Sequence, residues 1–336
     1  MFELLLVLLA FLVGYSVHRG GICLVGATLE VIEHKRADTF LFVLEAMSVA
    51  FAVVLTTYLL IPLQIKFAPS IEVSSLFLGG AMLYGVGASI NGGCALGTLN
   101  QLMAGRLTFL GTILGMSAGF FGFLVLHKLF PVPETMTVMR VKETLYILLP
   151  LLFLAWAVIL FRFWQIFVQR KLSFTERVHQ FLKKPLARSF IAIFLLGVGS
   201  GMLYLLLGHS WDYSRWIMDA QRFLFLDKNS ADLSSPKTFW HVSVATFGLL
   251  TGIITAALIG HSFQLSPIQM KAFLVKISGG ALMGFGAGFM QGGNDTLLLY
   301  GVPTLAFHAP IAILLIIFMI GLILLLKAKL GSTTGI

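Results

Sequence analysis

The chain has two cysteines, Cys23 and Cys94, and each sits just behind a Gly-Gly pair, in Gly20-Gly21-Ile22-Cys23 and in Asn91-Gly92-Gly93-Cys94. A third Gly-Gly pair of the same kind lies in Gln291-Gly292-Gly293-Asn294 and is followed by Asp295. Paired glycines break a helix, since each costs roughly 1 kcal/mol relative to alanine in a helix interior. A helix that restarts after such a break offers free N–H groups and the positive end of its dipole, which attract anions. Glycine lets those groups approach a ligand closely, and a thiol adds a soft, polarisable atom. These residue types at this spacing point to a site for a soft anion or a sulfur species.

Other chemistries fit less well. Zinc takes about four N, S or O ligands, and the sequence has no CxxC and no Cys/His cluster, so no metal or other cofactor is expected. No P-loop of the form Gly-x-x-x-x-Gly-Lys-Ser/Thr occurs, which removes ATP hydrolysis by that route. A single buried cysteine is commonly a small packing residue. Two cysteines behind two breaks favour function over packing. The residues expected to bind a ligand are therefore Cys23, Cys94 and Asn294, with Gly20, Gly21, Asn91, Gly92, Gly93, Gln291, Gly292, Gly293 and Asp295 around them.

The elements that must position these residues are membrane helices. The composition is 58% hydrophobic and 11% charged, with a mean hydropathy of +0.95, against about 25% charged residues in average soluble domains. Apolar runs on the order of 20 residues, enough to span a bilayer, fall near 3–17, 38–61, 71–90, 107–130, 144–168, 186–207, 239–260, 272–290 and 303–326. The first begins with Glu3 and no basic segment, so it reads as a retained helix and not as a cleaved signal peptide. The apolar stretch after Cys23, to about Ile32, is too short to span and suits a re-entrant half-helix, as does the segment after Cys94. A helix broken at membrane depth survives only where protein or a polar cavity satisfies the freed backbone groups. The fold class expected is an all-α polytopic membrane protein of about nine transmembrane helices plus short re-entrant half-helices.

The pattern repeats. Gly79-Gly80-Ala81 and Asn91-Gly92-Gly93-Cys94 match Gly279-Gly280-Ala281 and Gln291-Gly292-Gly293-Asn294 without a gap. Residues 1–131 read as a first membrane repeat and 186–336 as a second, with 132–185 carrying a fifth span and a basic segment between them. The region corresponding to Cys23 has diverged into Gly208-His209-Ser210-Trp211-Asp212-Tyr213. Four spans per repeat and one between them put the second repeat into the membrane upside down, the architecture of many secondary transporters. Of 23 Lys and Arg residues, 15 fall on the side of the loops after odd-numbered spans and 8 on the other. The positive-inside rule then places the N-terminus outside and the C-terminus in the cytoplasm. The net charge of +9 is accounted for by this topology, with no nucleic-acid partner.

Remaining polar residues carry less. Glu45, roughly two turns into the second run, either faces the bundle interior or reaches the headgroups. His209 and His261, each in Gly-His-Ser near a span end, read as solvated interface histidines, and His308, before Pro310, as an interfacial entry to the last span.

Gly-Gly-Ile-Cys at 20–23 and Gly-Gly-Cys-Ala-Leu-Gly at 92–97, within this inverted plan, resemble the YeeE/YedE family of sulfur transporters. The resemblance covers nearly the whole chain. It implies an hourglass-shaped protein of the bacterial inner membrane that takes up thiosulfate or a related small sulfur anion. It also implies a narrow waist lined by cysteines, with Cys23 and Cys94 as two of the relay residues, and possible delivery to a soluble sulfur carrier or rhodanese. The third cysteine typical of thiosulfate importers is here Asn294, and an ionised Asp295 beside it must be turned away, paired or protonated. The alternatives are a transporter of another sulfur or selenium compound and a membrane thiol oxidoreductase or sulfurtransferase. The leading expectation is a permease and not an enzyme.

Overall fold

Glycine placement decides how the helices of this protein meet. The computed structural model describes residues 1–61, 67–126, 141–167, 185–225 and 236–331. The sequence also predicts an external loop over 131–143 and a basic linker over 170–188; the first up to residue 140 and the second up to residue 184 lie outside the described residues. The helices in chain order are α1 (Phe2–Gly20), α2 (Leu24–His34), α3 (Asp38–Leu60), α4 (Ser75–Asn91), α5 (Ala95–Met103), α6 (Leu110–Leu126) and α7 (Val141–Phe167). They continue with α8 (Pro185–Leu207), α9 (Tyr213–Phe225), α10 (Pro236–Ile259), α11 (Met270–Met290) and α12 (His308–Gly331). Between α11 and α12 a single helical turn, Asn294–Thr296, runs into a π turn, Leu297–Gly301.

Among the described residues, seven helical segments are long and apolar enough to cross a membrane. Against the nine expected spans, the one at 71–90 is a helix of only 17 residues, because Ser74 caps it by accepting from the Phe77 N–H and residues 67–70 stay non-helical. The one at 144–168 has an apolar helical stretch of Leu148–Arg162. The expected half-helices are α2 and α5, 11 and 9 residues long.

Small residues bring the long helices together, as they do where lipid supplies no hydrophobic drive to associate. A Cβ built on Gly14 of α1 would stand 2.0 Å from the Leu249 carbonyl oxygen of α10, and one on Gly197 of α8 would stand 2.7 Å from the Ala46 oxygen of α3. Gly115 of α6 meets the Ile277 oxygen of α11 at 2.1 Å, and Gly85 of α4 meets the Ile316 oxygen of α12 at 2.9 Å. These pairings are reciprocal: α1 with α10 answers α8 with α3, and α6 with α11 answers α12 with α4. The helices α4 and α11 meet each other in antiparallel fashion, with Gly80 against Gly286 and Gly87 against Gly279. Since 279 lies 199 after 80 and 286 lies 199 after 87, that contact maps onto itself when the two halves are exchanged. Equivalent helices running antiparallel are what an inverted pseudo-repeat requires. The leftover α7 packs on α3, where the Trp156 indole N–H donates to Thr56 Oγ1 at 3.1 Å and the Arg162 Nε donates to Glu45 Oε1 at 2.8 Å.

Candidate functional site

Helix α1 ends where Gly21 takes the left-handed conformation, φ 61°, and its N–H returns to the His18 carbonyl. The chain then extends and Cys23, at φ −154°, becomes the N-cap of α2. The same sequence of events follows α4. Gly92 at φ 71° closes the helix, and Cys94 is the N-cap of α5. Both cysteines therefore sit at the start of a half-helix, where the first N–H groups have no partner inside the helix.

The two thiols meet. Cys94 Sγ lies 3.6 Å from Cys23 Sγ, with Cys94 fully buried and Cys23 partly exposed. Cys23 Sγ faces the backbone N–H groups of Val25, Gly26 and Cys94, and Cys94 Sγ faces those of Leu24 and Gly97. The N-termini of two half-helices thus converge on one pair of sulfurs. Gly97 makes room for them, since a Cβ there would stand 2.5 Å from Cys23 Sγ.

Asn91 builds the break. Its Nδ2 donates to the Gly93 carbonyl at 2.7 Å and to Thr98 Oγ1 at 2.8 Å, and its Oδ1 accepts from Thr112 Oγ1 at 2.6 Å. The Lys276 ammonium donates to the Asn91 carbonyl and lies 4.0 Å from the centre of the Phe109 ring. The Asn91 amide is thus occupied by protein partners.

The third break joins the first two. Asn294 Oδ1 accepts from the Tyr84 hydroxyl at 2.6 Å and from the Ala95 N–H, at the first turn of α5, at 3.2 Å. An amide N–H can only donate, so these contacts fix the orientation of the Asn294 side chain. Its Nδ2 is then a buried donor without a partner among the described residues. Asp295 is turned toward Ser214, whose hydroxyl donates to both carboxyl oxygens at 2.8 and 3.0 Å and whose N–H donates at 3.3 Å.

The second half is offset by one residue from the ungapped sequence match. Helix α11 ends at Met290, Gln291 takes the left-handed conformation (φ 53°) that Gly92 takes in the first half, and Gly293 is the N-cap of the turn that follows. The N–H of Gly93 reaches the Ala88 oxygen, and that of Gly292 reaches the Ala287 oxygen, again 199 residues apart. By backbone geometry Cys94 corresponds to Gly293, and Asn294 sits one step further into the turn. The counterpart of Cys23 is Asp212, whose Oδ1 caps α9 by accepting from the Arg215 N–H at 2.8 Å.

Beyond the third break lies a cavity of about 80 Å³, lined in part by Ser210, Arg215, Gln291, Thr296, Tyr300 and His308. His308 is buried and accepts from the Ile71 N–H at 3.0 Å, so it braces the loop before α4. His209 Nδ1 lies 3.0 Å from the Ser210 carbonyl, and His261 takes a left-handed turn after α10. His18, which sequence reasoning passed over, lies 2.5 Å from Asn100 Oδ1 and 2.8 Å from Ser262 Oγ, tying α1 to α5 and to the loop after α10. Tyr84, Gly97, Ser214 and Asp212 were also missed as site residues. Asp212 carried the one usable sign, an N-cap residue type in the segment that replaces the Cys23 motif.

Two polarisable sulfurs, converging N–H groups and an unpaired amide donor form a surface suited to a small, soft anion. Among the described residues, no group of three or more His, Cys, Asp or Glu side chains is placed to hold a metal ion. Comparison with curated proteins finds none that matches this chain. A family model described as sulphur transport matches residues 19–324, a stretch that holds Cys23, Cys94, Asn294, the whole of α2 to α11 and most of α12. The chain belongs to the sulphur-transport family, YeeE/YedE, of multi-pass membrane proteins that move sulfur compounds.

Proposed function

We propose that the protein imports thiosulfate, or a small sulfur anion of the same shape, across the bacterial inner membrane through a waist lined by Cys23, Cys94 and Asn294. The observation that carries this reading is the 3.6 Å approach of the two sulfurs beside the Asn294 amide. A terminal sulfur of the anion accepts an S–H hydrogen bond from one thiol and is handed to the next. Its oxygens take the Asn294 Nδ2–H and the N–H groups at the half-helix starts. Gly20, Gly21, Gly92, Gly93, Gly292 and Gly293 keep side chains out of the path, and Asn91 and Gln291 hold the breaks open around it. The basic-loop count orients the protein with its N-terminus outside and its C-terminus in the cytoplasm, where a soluble sulfur carrier or rhodanese would collect the imported sulfur.

Uptake of ³⁵S-thiosulfate by cells that lack their own importer tests this directly. The expected result is uptake by the wild type that is lost in Cys23→Ser and Cys94→Ser at equal membrane expression. Wild-type cells that take up no thiosulfate would overturn the substrate, and selenium and other sulfur species would be tested next. The same sulfur pair gives the second reading, a membrane thiol oxidoreductase that cycles through a Cys23–Cys94 disulfide. Uptake that survives in either single serine variant counts against both the relay and the redox cycle.

A further inference from the structure

Two acids at the centre of the second half have no part in the relay described above. Asp295 is 0% and Asp212 3% exposed. Asp212 Oδ2 accepts from the Thr296 hydroxyl at 2.7 Å and its Oδ1 from the Arg215 N–H, while Asp295 is held by Ser214. The two acids share one neighbourhood: Ser214, which holds Asp295, precedes Arg215, whose N–H holds Asp212, and Thr296, which bonds Asp212, follows Asp295. The nearby cations are bound elsewhere. Arg215 pairs with Asp219 at 3.2 Å and donates to the Gln291 carbonyl, and Arg222 lies 3.9 Å from Asp219. Among the described residues no ion pair joins Asp212 or Asp295 to a cation, although Arg215 faces Asp212 through space.

The groups facing the pair come from every neighbouring element. Arg215, Asp219, Arg222 and Tyr213 belong to α9, and His209 to the loop before it. Tyr84 of α4 and Tyr300 of the π turn face it from the other side, with Cys94 beyond Tyr84 and His308 across the cavity. Arg215 and Arg222 both lie against Asp219, so the three together bring one net positive charge toward two carboxyls. For two neighbouring carboxyls buried from solvent with no ion pair to either, holding one proton costs less than holding two charges. Ionisable groups at membrane depth typically mark ion pathways or proton relays.

The pair is wired to the anion path at two points. Thr296, which bonds Asp212, also lines the cavity, as does Tyr300, which is 1% exposed and whose hydroxyl has no partner among the described residues. Asp295 follows Asn294, whose Nδ2 is equally unpartnered. An anion resting against these donors strengthens proton binding on the pair, and the protonated pair removes the charge that would repel the anion. Linkage makes the two effects equal. We propose that Asp212 and Asp295 together carry a proton that travels with the anion, which makes the protein a proton-coupled anion carrier. The proton joins a carboxyl oxygen from the cavity side and leaves toward the other face, and no bond of the anion breaks. One proton per dianion leaves one negative charge moved per cycle. The proposal rests on the anion-permease reading above.

The test uses the full chain in liposomes that enclose a pH dye. An inward proton gradient is expected to raise initial ³⁵S-thiosulfate uptake about 10-fold, and thiosulfate entry is expected to acidify the lumen. Asp295→Asn and Asp212→Asn should lose both responses, and whatever gradient-free thiosulfate counterflow each variant retains should no longer depend on pH, unlike that of the wild type. A wild type whose uptake ignores the gradient, or variants that keep the gradient response, would overturn the coupling. If the wild type moves no thiosulfate in any format, the substrate reading has failed, and infrared spectra of the wild-type protein decide the proton separately. A carbonyl band from a protonated buried carboxyl at neutral pH, lost in either variant, supports the pair as a proton site. Absence of that band from the wild type overturns it, whether or not the variants fold.

Discussion

The Tyr84 hydroxyl donates to Asn294 Oδ1 at 2.6 Å, joining the middle of α4 to a break 210 residues later. Both residues are 0% exposed, so the bond forms where water cannot replace it. Together with the Ala95 N–H it holds the Asn294 amide with its oxygen toward α5 and its Nδ2 free for a ligand. Tyr84→Phe removes one of the two anchors at a cost of about 1 kcal/mol. Uptake is expected to fall roughly five-fold, the factor that such an energy represents, with the protein still folded. Asn294→Leu should abolish uptake altogether, because it removes the donor as well as the anchor. Equal uptake by Tyr84→Phe and wild type would show that the Asn294 orientation is not limiting.

Oxidation gives an independent check on the sulfur pair. Sulfurs 3.6 Å apart need only a small approach to bond, and bridging them would close the gap through which a relay must hand its cargo. Treatment with a mild membrane-permeant oxidant is expected to stop uptake, to form an intramolecular Cys23–Cys94 disulfide detectable by mass spectrometry, and to be reversed by dithiothreitol. Cys23→Ser protein should form no such bridge. An enzyme that cycles through this disulfide would instead gain activity from the oxidant.

Much of this arrangement is legible in the sequence, and the parts that are not have physical reasons. Apolar runs of bilayer length locate the helices, and the Gly-Gly pairs at 20–21 and 92–93 locate two breaks, whereas Gly79-Gly80 and Gly279-Gly280 lie inside α4 and α11, where Gly80, Gly279 and Gly280 let helices approach. Gly21 and Gly92 do take the left-handed conformation that the pairs imply. Cys23 and Cys94 meet because each opens a half-helix, which the spacing alone foretells. The third break is harder to read. There the left-handed position is held by Gln291, not glycine, so α11 stops one residue early and Cys94 corresponds to Gly293 in the backbone while the letters align it with Asn294. Tyr84 is one apolar-helix residue among many, and only the fold shows that its hydroxyl has a buried partner. Asp212 shares a helix-start position with Cys23 but no chemistry, so the sequence pairs the two segments without matching these two residues.

Glu45 illustrates a residue whose meaning depended on an element outside the repeats. Arg162 of α7 holds its carboxylate through Nη2 at 2.6 Å and Nε at 2.8 Å, with Glu45 15% and Arg162 32% exposed at the side chain. The pair stands on the α3–α7 contact, away from the three breaks. Glu45→Gln should therefore lower thermal stability by about 1 kcal/mol, as for a partly exposed ion pair, and leave the uptake rate unchanged. A double substitution with Arg162→Gln should cost less than the sum of the two singles, since the partners couple. A loss of uptake without a loss of stability would instead place Glu45 in the transport path.

Gly97 separates the demands of the site from the general tolerance of the helices. A Cβ there would stand 2.5 Å from Cys23 Sγ and 3.7 Å from Cys94 Sγ, so alanine must displace the Cys23 thiol from its partner. Gly79 of α4 has nothing within 4 Å of the same construction, and a helix interior favours alanine over glycine by roughly 1 kcal/mol. Gly79→Ala is expected to leave uptake intact and raise the melting temperature slightly. Gly97→Ala is expected to reduce uptake to near the level of Cys23→Ser while the purified protein stays monodisperse, and to slow oxidative bridging of the two cysteines. Normal uptake and normal bridging by Gly97→Ala would mean that the thiols do not need this close approach, and the two-sulfur relay would lose its geometric basis.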